Sequence, residues 1–192
     1  MSTKKINPQV DFMEIVPIFG EKLFAFKYNG ESEDEFRRIF NLWADPEHLE
    51  AFFENNKSDL TDGYYGTFSV EGAIFETYED AEYLEQRLLI LSEQSSSDQL
   101  KGLEQIFKPL HNSQTKILQL NKCNARQNWL RLYALRVDKN VYIITGGTIK
   151  LTRTMQERAH TMQELDKINQ CREFLLSKGI VEVESLIEET ES

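Results

Sequence analysis

Cysteine is almost absent from this chain: Cys123 and Cys171 are its only two, far apart and outside any CxxC or Cys/His grouping. That spacing excludes a disulfide framework and a structural zinc site of the usual kind, and both residues are expected as reduced thiols. Long hydrophobic runs are missing as well. The opening MSTKKINPQVDF holds no apolar stretch of the sort a secretory signal requires, and no later segment approaches the roughly 20 apolar residues of a membrane span. The expectation is a cytoplasmic protein with no membrane partner. Positive charge is in short supply too, with 22 Lys and Arg against 32 Asp and Glu, a net of -10. A balance of that size argues against a polyanion partner, but fields act locally, and a basic face on an acidic molecule still attracts phosphate.

What is present is a segregation of charge. Residues 1–99 carry 21 acidic against 8 basic side chains, a net of -13. Residues 100–172 carry 5 against 13, a net of +8, and residues 173–192 return to acid with 6 against 1. With 40% hydrophobic and 11% aromatic residues, 192 positions suffice for one substantial core. The expected organisation is a single domain: an acidic hairpin-plus-helices region over 1–99, a basic core over 100–180 and an acidic tail over 181–192.

Local patterning predicts an α+β fold, with an antiparallel sheet made of an N-terminal hairpin and three later strands, packed with about five helices. "VDFMEIVPIFGEKLFAFKYN" predicts strands over 10–18 and 22–29. Ser32 and Glu35 form an S-x-x-E capping box ahead of a helix over about 33–44, and Asp45 with Pro46 opens a second helix. "KSDLTDGYYGTF" reads as a loop, and Ser69 caps a long helix to about 93 whose face includes Phe75, Tyr78, Leu84, Leu88 and Leu91. A further helix is expected around 98–107. From Thr115 the period changes, and "TKILQL", "NWLRLYALRV" and "NVYIITGGTIKLT" read as three consecutive strands. The T-x-x-E signature then occurs twice, at Thr154/Glu157 and Thr161/Glu164, and the second is taken as the cap of a helix over about 162–177 closed by Gly179. No structure is expected at the end of the tail "EVESLIEETES".

The order of elements over 115–178 resembles the C-terminal part of the RelE/ParE superfamily of bacterial toxins, and looks most like its HigB branch. The residues carrying the likeness are Leu118, Leu120 and Arg126, followed by "WLRLYALRVDKNVYIITGGTIKLTRTMQE". It spans about a third of the chain. The likeness implies an antiparallel sheet on helices, cleavage of messenger RNA without a metal or other cofactor, often on the ribosome, and an antitoxin-like helix-turn-helix partner. Departures are visible: Lys150-Leu151 stands where the family has paired lysines, Ile149 replaces a Phe, and Gly146 and Gly147 replace apolar strand residues.

Such cleavage attacks phosphorus with the neighbouring 2'-hydroxyl, so a site must take that proton, hold the extra negative charge and protonate the leaving oxygen. Arginine's planar fork suits the charge, and a lysine of depressed pKa suits proton transfer. The expected catalytic residues are Lys150, Arg131 and His160, the last being the only histidine close to the basic strands' exit. RNA contacts are expected from Arg126, Arg136, Arg153, Tyr133 and Lys122. Trp129 and Tyr133 flank Arg131 and are candidate stacking platforms for bases, though such rings also serve as packing residues. Register decides the rest. A two-residue turn at Asp138-Lys139 puts Trp129, Arg131 and Tyr133 on one face with Gly146, Thr148 and Lys150; a three-residue loop through Asn140 aligns Arg136 with Lys150 instead.

Overall fold

A computed structural model of the chain describes residues 13–61, 63–93, 102–110, 117–124 and 129–191. Six strands form one sheet: β1 (Met13–Phe19), β2 (Leu23–Tyr28), β3 (Lys108–Pro109), β4 (Gln119–Asn124), β5 (Leu130–Asp138) and β6 (Val141–Ile149). Their spatial order is β1-β2-β6-β5-β4-β3. Every pairing is antiparallel except β2 with β6, where Leu23, Phe24 and Ala25 run parallel to Tyr142, Ile143 and Ile144. The N-terminal hairpin and the basic strands therefore belong to one sheet, and the fold is α+β with a mostly antiparallel sheet.

Helices cover both faces. On one side lie α1 (Glu35–Trp43), α2 (Pro46–Asn55), the single turn α3 (Lys57–Thr61) and the long α4 (Val70–Glu93). They pack Ile39, Trp43, Phe53, Leu84 and Leu88 against Leu23, Leu130, Leu132 and Ile144. On the other side α5 (Ala159–Lys178) and α6 (Val183–Glu191) set Ile168, Cys171, Leu175 and Leu186 against Phe24, Phe26, Tyr133, Leu135 and Ile143. Because successive strand residues face opposite ways, a strand covered twice must be apolar throughout. That is why β5 and β6 read as nearly continuous hydrophobic runs.

Several elements start where expected for the expected reason. Asp45 accepts from the backbone nitrogens of Glu47 and His48 at 2.9 and 3.2 Å, with Pro46 in the first turn, and Ser69 Oγ accepts from Gly72 N at 3.0 Å. Gly179, at φ +73°, closes α5.

Others differ. Asp34, not Ser32, caps α1 by accepting from Arg37 N at 3.0 Å, which frees Glu35 to turn inward. Of the stretch expected as a loop, Lys57–Thr61 folds into α3 because Leu60 has a core position to fill, and 63–68 hold only an isolated bridge between Gly63 and Gly66. Phe75 is 59% exposed; the buried stripe of α4 runs through Ala73, Thr77, Ala81, Leu84 and Leu88. Of the helix expected around 98–107, residues 102–107 hold only a 3-10 turn at Leu103–Gln105, and 98–101 lie outside the described residues. The first of the three later strands, expected over 115–120, pairs over 119–124; residues 115–116 lie outside the described residues. The capping box closes at Thr154/Glu157, ahead of a 3-10 turn at Met155–Glu157, so α5 begins at Ala159 and Glu164 lies inside it. The acidic tail forms α6 because Leu186 is fully buried.

Candidate nucleic-acid interface

The three central basic strands meet in a fixed register. Asp138 pairs with Val141 across a Lys139-Asn140 turn, and two irregularities, an extra Val137 on β5 and an extra Thr145 on β6, cancel. Arg131 therefore faces Thr148 and Tyr133 faces Gly146, the parity expected for a two-residue turn, although the turn sits one position later. On β4, Lys122 pairs with Tyr133 and Asn124 with Arg131. Lys150, just past β6, donates its backbone N–H to Trp129 O at 2.8 Å. By strand alternation Lys122, Arg131 and Lys150 share one side of three adjacent strands.

All three are half-buried. Arg131 donates to Leu130 O at 2.8 Å and to the Tyr65 hydroxyl at 2.6 Å. Lys150 Nζ donates to the carbonyls of Thr152 and Arg153, each at 2.7 Å. Burial, then the nearby charges of Arg131 and Lys122, depress the Lys150 pKa against the smaller opposing pull of Glu157; burial, then Arg131, depress that of Lys122. The register sets Lys122 and Arg131 on adjacent strands with Lys150 just past the third. Such a group favours a multivalent anion, since each added phosphate relieves repulsion among its holders.

The remaining sequence-derived candidates scatter. Arg136 lies five positions from Arg131, about 17 Å along the strand; it is ion-paired with Glu104 and donates to Asp138 O at 3.3 Å, far from the triad. Tyr133 is 1% exposed, with its hydroxyl on Met155 Sδ at 3.4 Å. A ring so enclosed has no face on which a base could stack. Trp129, 2% exposed, packs on the opposite side of the sheet among Phe53, Tyr65 and Phe68, its Nε1 donating to Thr77 Oγ1 at 2.9 Å. The rings expected to flank Arg131 as platforms are packing residues. His160 sets Nε2 3.0 Å from Ile149 O, the carbonyl preceding Lys150, and its ring edge-on to Phe52. Arg153 is exposed, and Arg126 lies outside the described residues. Other basic side chains are occupied: Arg158 by Asp59 at 2.5 Å, Arg172 by the carbonyl of Leu118 at 3.2 Å.

A second charged cluster went unnoticed at sequence level. Glu35, 1% exposed, accepts from Arg38 Nε at 2.5 Å and from Lys167 Nζ at 2.7 Å. Lys167 also lies 3.5 Å from Glu164 Oε1 and 4.8 Å from the Tyr28 ring centroid. Glu164 Oε2 is buried with no hydrogen-bond partner, and burial drives its pKa up to about 7 against the opposing pull of Lys167. Tyr28 donates to Thr145 O at 2.5 Å, the carbonyl that the bulge on β6 turns toward it, and lies 3.1 Å from Cys171 Sγ. Gly146 makes room: a Cβ there would collide with Glu164 Oε2 and come within 2.8 Å of Lys167 Nζ. The Glu35/Arg38 and Glu164/Lys167 spacings look like solvated helix pairs or caps, which hid the cluster.

No family model, curated protein or solved structure matches this chain. Among the described residues there is no group of three or more His, Cys, Asp or Glu side chains placed to hold a metal ion, and no helix is long and apolar enough to cross a membrane.

Proposed function

We propose that this protein is a cytoplasmic RNA-binding module with a RelE/HigB-like strand and helix core, which grips phosphates through Lys122, Arg131 and Lys150. The observation that carries the reading is the convergence of these cations on three adjacent strands of an otherwise acidic chain. Arg131 supplies the bidentate fork and the two lysines supply point charges, a set suited to successive phosphates of one strand. Binding rather than cleavage is favoured because His160 is tied to Ile149 O and Arg136 to Glu104, away from the three cations. Anisotropy of a labelled single-stranded RNA tests it: saturable binding that Lys150→Glu abolishes, with an unchanged circular dichroism spectrum, is expected. Absence of saturable binding by the wild-type protein would refute the reading.

One observation favours a second reading, that of a toxin-type endoribonuclease acting on messenger RNA or the ribosome and restrained by a helix-turn-helix antitoxin. The depressed Lys150 pKa suits an amine that removes the 2'-hydroxyl proton while Arg131 holds the phosphate. Under it, wild-type protein cleaves RNA in the presence of a chelator and inhibits growth on expression, and Lys150→Ala loses both effects while Lys150→Arg keeps binding alone. Intact transcripts and normal growth would leave the binding module.

A further inference from the structure

Around the β4 edge from the triad, a hollow of about 350 Å³ lies between α4 and the β3–β4 edge. Its wall includes Arg87, Lys108 and Lys122, together with Tyr83, Ile106 and Asn124, and among the described residues no Asp or Glu lines it. The volume falls within the roughly 300–1,000 Å³ of small-ligand sites. In a chain of net charge -10, three cations around one unacidified hollow is a local inversion of the field.

The strand pairing adds a reason for an anion. Lys108 stands directly opposite Lys122, and like charges in that position repel. The neighbouring Glu104 offers Lys108 only its carbonyl oxygen, at 3.2 Å, because its carboxylate is taken by Arg136. On the apolar side of the wall, Tyr83 is 37% exposed and Ile106 half-buried, leaving ring and aliphatic surface beside the cations. Cations and an accessible ring at one hollow are the complement of a phosphate joined to a flat heterocycle.

The hollow and the triad are joined. Lys122 belongs to the wall of one and to the charge cluster of the other. Between them Cys123 is buried, and Arg131 from one side and Arg87 from the other both act on its thiol. Beyond Lys122, at Cys123 and Asn124, β4 has no pairing with β3, so among the described strands its outer edge is open.

We propose that this hollow is a nucleotide pocket, in which Arg87 and Lys108 hold a phosphate and Tyr83 and Ile106 take the base. The inference deepens the RNA-binding reading: a strand held at Arg131 and Lys150 passes the outer edge of β4 and seats one nucleotide here. The same chemistry would accept a free nucleoside monophosphate.

The test uses the full-length protein with AMP, inorganic phosphate and a single-stranded RNA as separate probes, followed by NMR titration and anisotropy. AMP is expected to saturate at least tenfold more tightly than phosphate. Arg87→Ala with Lys108→Ala should weaken AMP about tenfold or more, and Tyr83→Ala should weaken AMP by about tenfold, the loss of one stacked base, while leaving phosphate unchanged. All three positions are partly or fully exposed, so the variants should fold. Lys150→Ala should weaken RNA and spare AMP. If AMP fails to saturate, matches phosphate, or is indifferent to Arg87→Ala with Lys108→Ala, the pocket is overturned. RNA that binds normally to that double variant removes the pocket from the RNA path. AMP that binds as expected to a protein indifferent to RNA sinks the RNA reading and supports the pocket as a mononucleotide site.

Discussion

Two clusters of charge lie against β6, one beside Gly146 and one at its C-terminal end, and they are built in opposite ways. Around Gly146, Lys167 and Arg38 enclose the carboxylate of Glu35, and Glu164 is held beside them at a depth where its own charge is disfavoured. Farther along, Lys122, Arg131 and Lys150 are set cation beside cation and only half-buried. The first cluster closes its charges upon one another and has structural consequences; the second leaves positive charge facing outward, where an external anion can reach it. The difference shows that a charge is available for binding only where its burial is incomplete.

The comparison breaks most visibly at Glu35. Replacing it with alanine leaves Arg38 and Lys167 desolvated without their carboxylate, and a loss of about 3–5 kcal/mol in urea unfolding is expected. A result below about 1 kcal/mol would mean that water reaches both cations. Glu164 comes next. Its carboxyl holds a proton up to about pH 7 in the folded chain but only to about pH 4.3 when unfolded. The folded state thus binds more protons between those values, and stability falls as pH rises from about 4 to 7, by on the order of 3 kcal/mol from this group, then levels off. Glu164→Gln should flatten that decline, which urea midpoints across the range would reveal; an unchanged pH profile would assign the proton elsewhere.

Gly146→Ala introduces a Cβ against Glu164 and Lys167 and should cost about 1–3 kcal/mol, with the sheet's bulge shifting to accommodate it. A neutral outcome would show that the carboxylate moves freely. The smallest stability effect belongs to the triad: Lys122→Ala should change unfolding free energy by no more than about 0.5 kcal/mol, while weakening RNA. A large loss of stability there would make the triad structural and erase the contrast with the Glu35 cluster.

How far these clusters were legible beforehand follows from the kind of signal each leaves. Apolar periodicity and caps are local, so Asp45-Pro46, Ser69 and Gly179 mark true boundaries and β5 and β6 stand out as strands. Caps with two nearby acceptors are not resolved that way: Asp34 displaced Ser32, and Thr154 displaced Thr161, because the competing carboxylates were wanted inside. The triad was partly legible, since Arg131 and Lys150 follow from strand parity, whereas Lys122 lay past the strand expected over 115–120 and only the observed register sets it opposite Tyr133. The fate of Arg136 depended on Glu104, 32 positions away, and that of Tyr133 on Met155 and on the helices over the sheet. Nothing in a linear pattern announces that both faces of a sheet are covered. The Glu35–Lys167 pair spans 132 positions, and the Arg87–Lys108–Lys122 hollow joins a helix to two strands; both are products of tertiary packing alone.

The salt dependence of single-stranded RNA affinity, compared between wild type and the triple variant Lys122→Ala, Arg131→Ala, Lys150→Ala, tests the phosphate-binding surface most directly. Each phosphate held on a single strand contributes about 0.7 to the slope of log affinity against log salt. The wild-type slope should be steeper than that of the triple variant by about 2. Equal slopes, or RNA bound equally well by both proteins, would contradict the assignment of this face to phosphate.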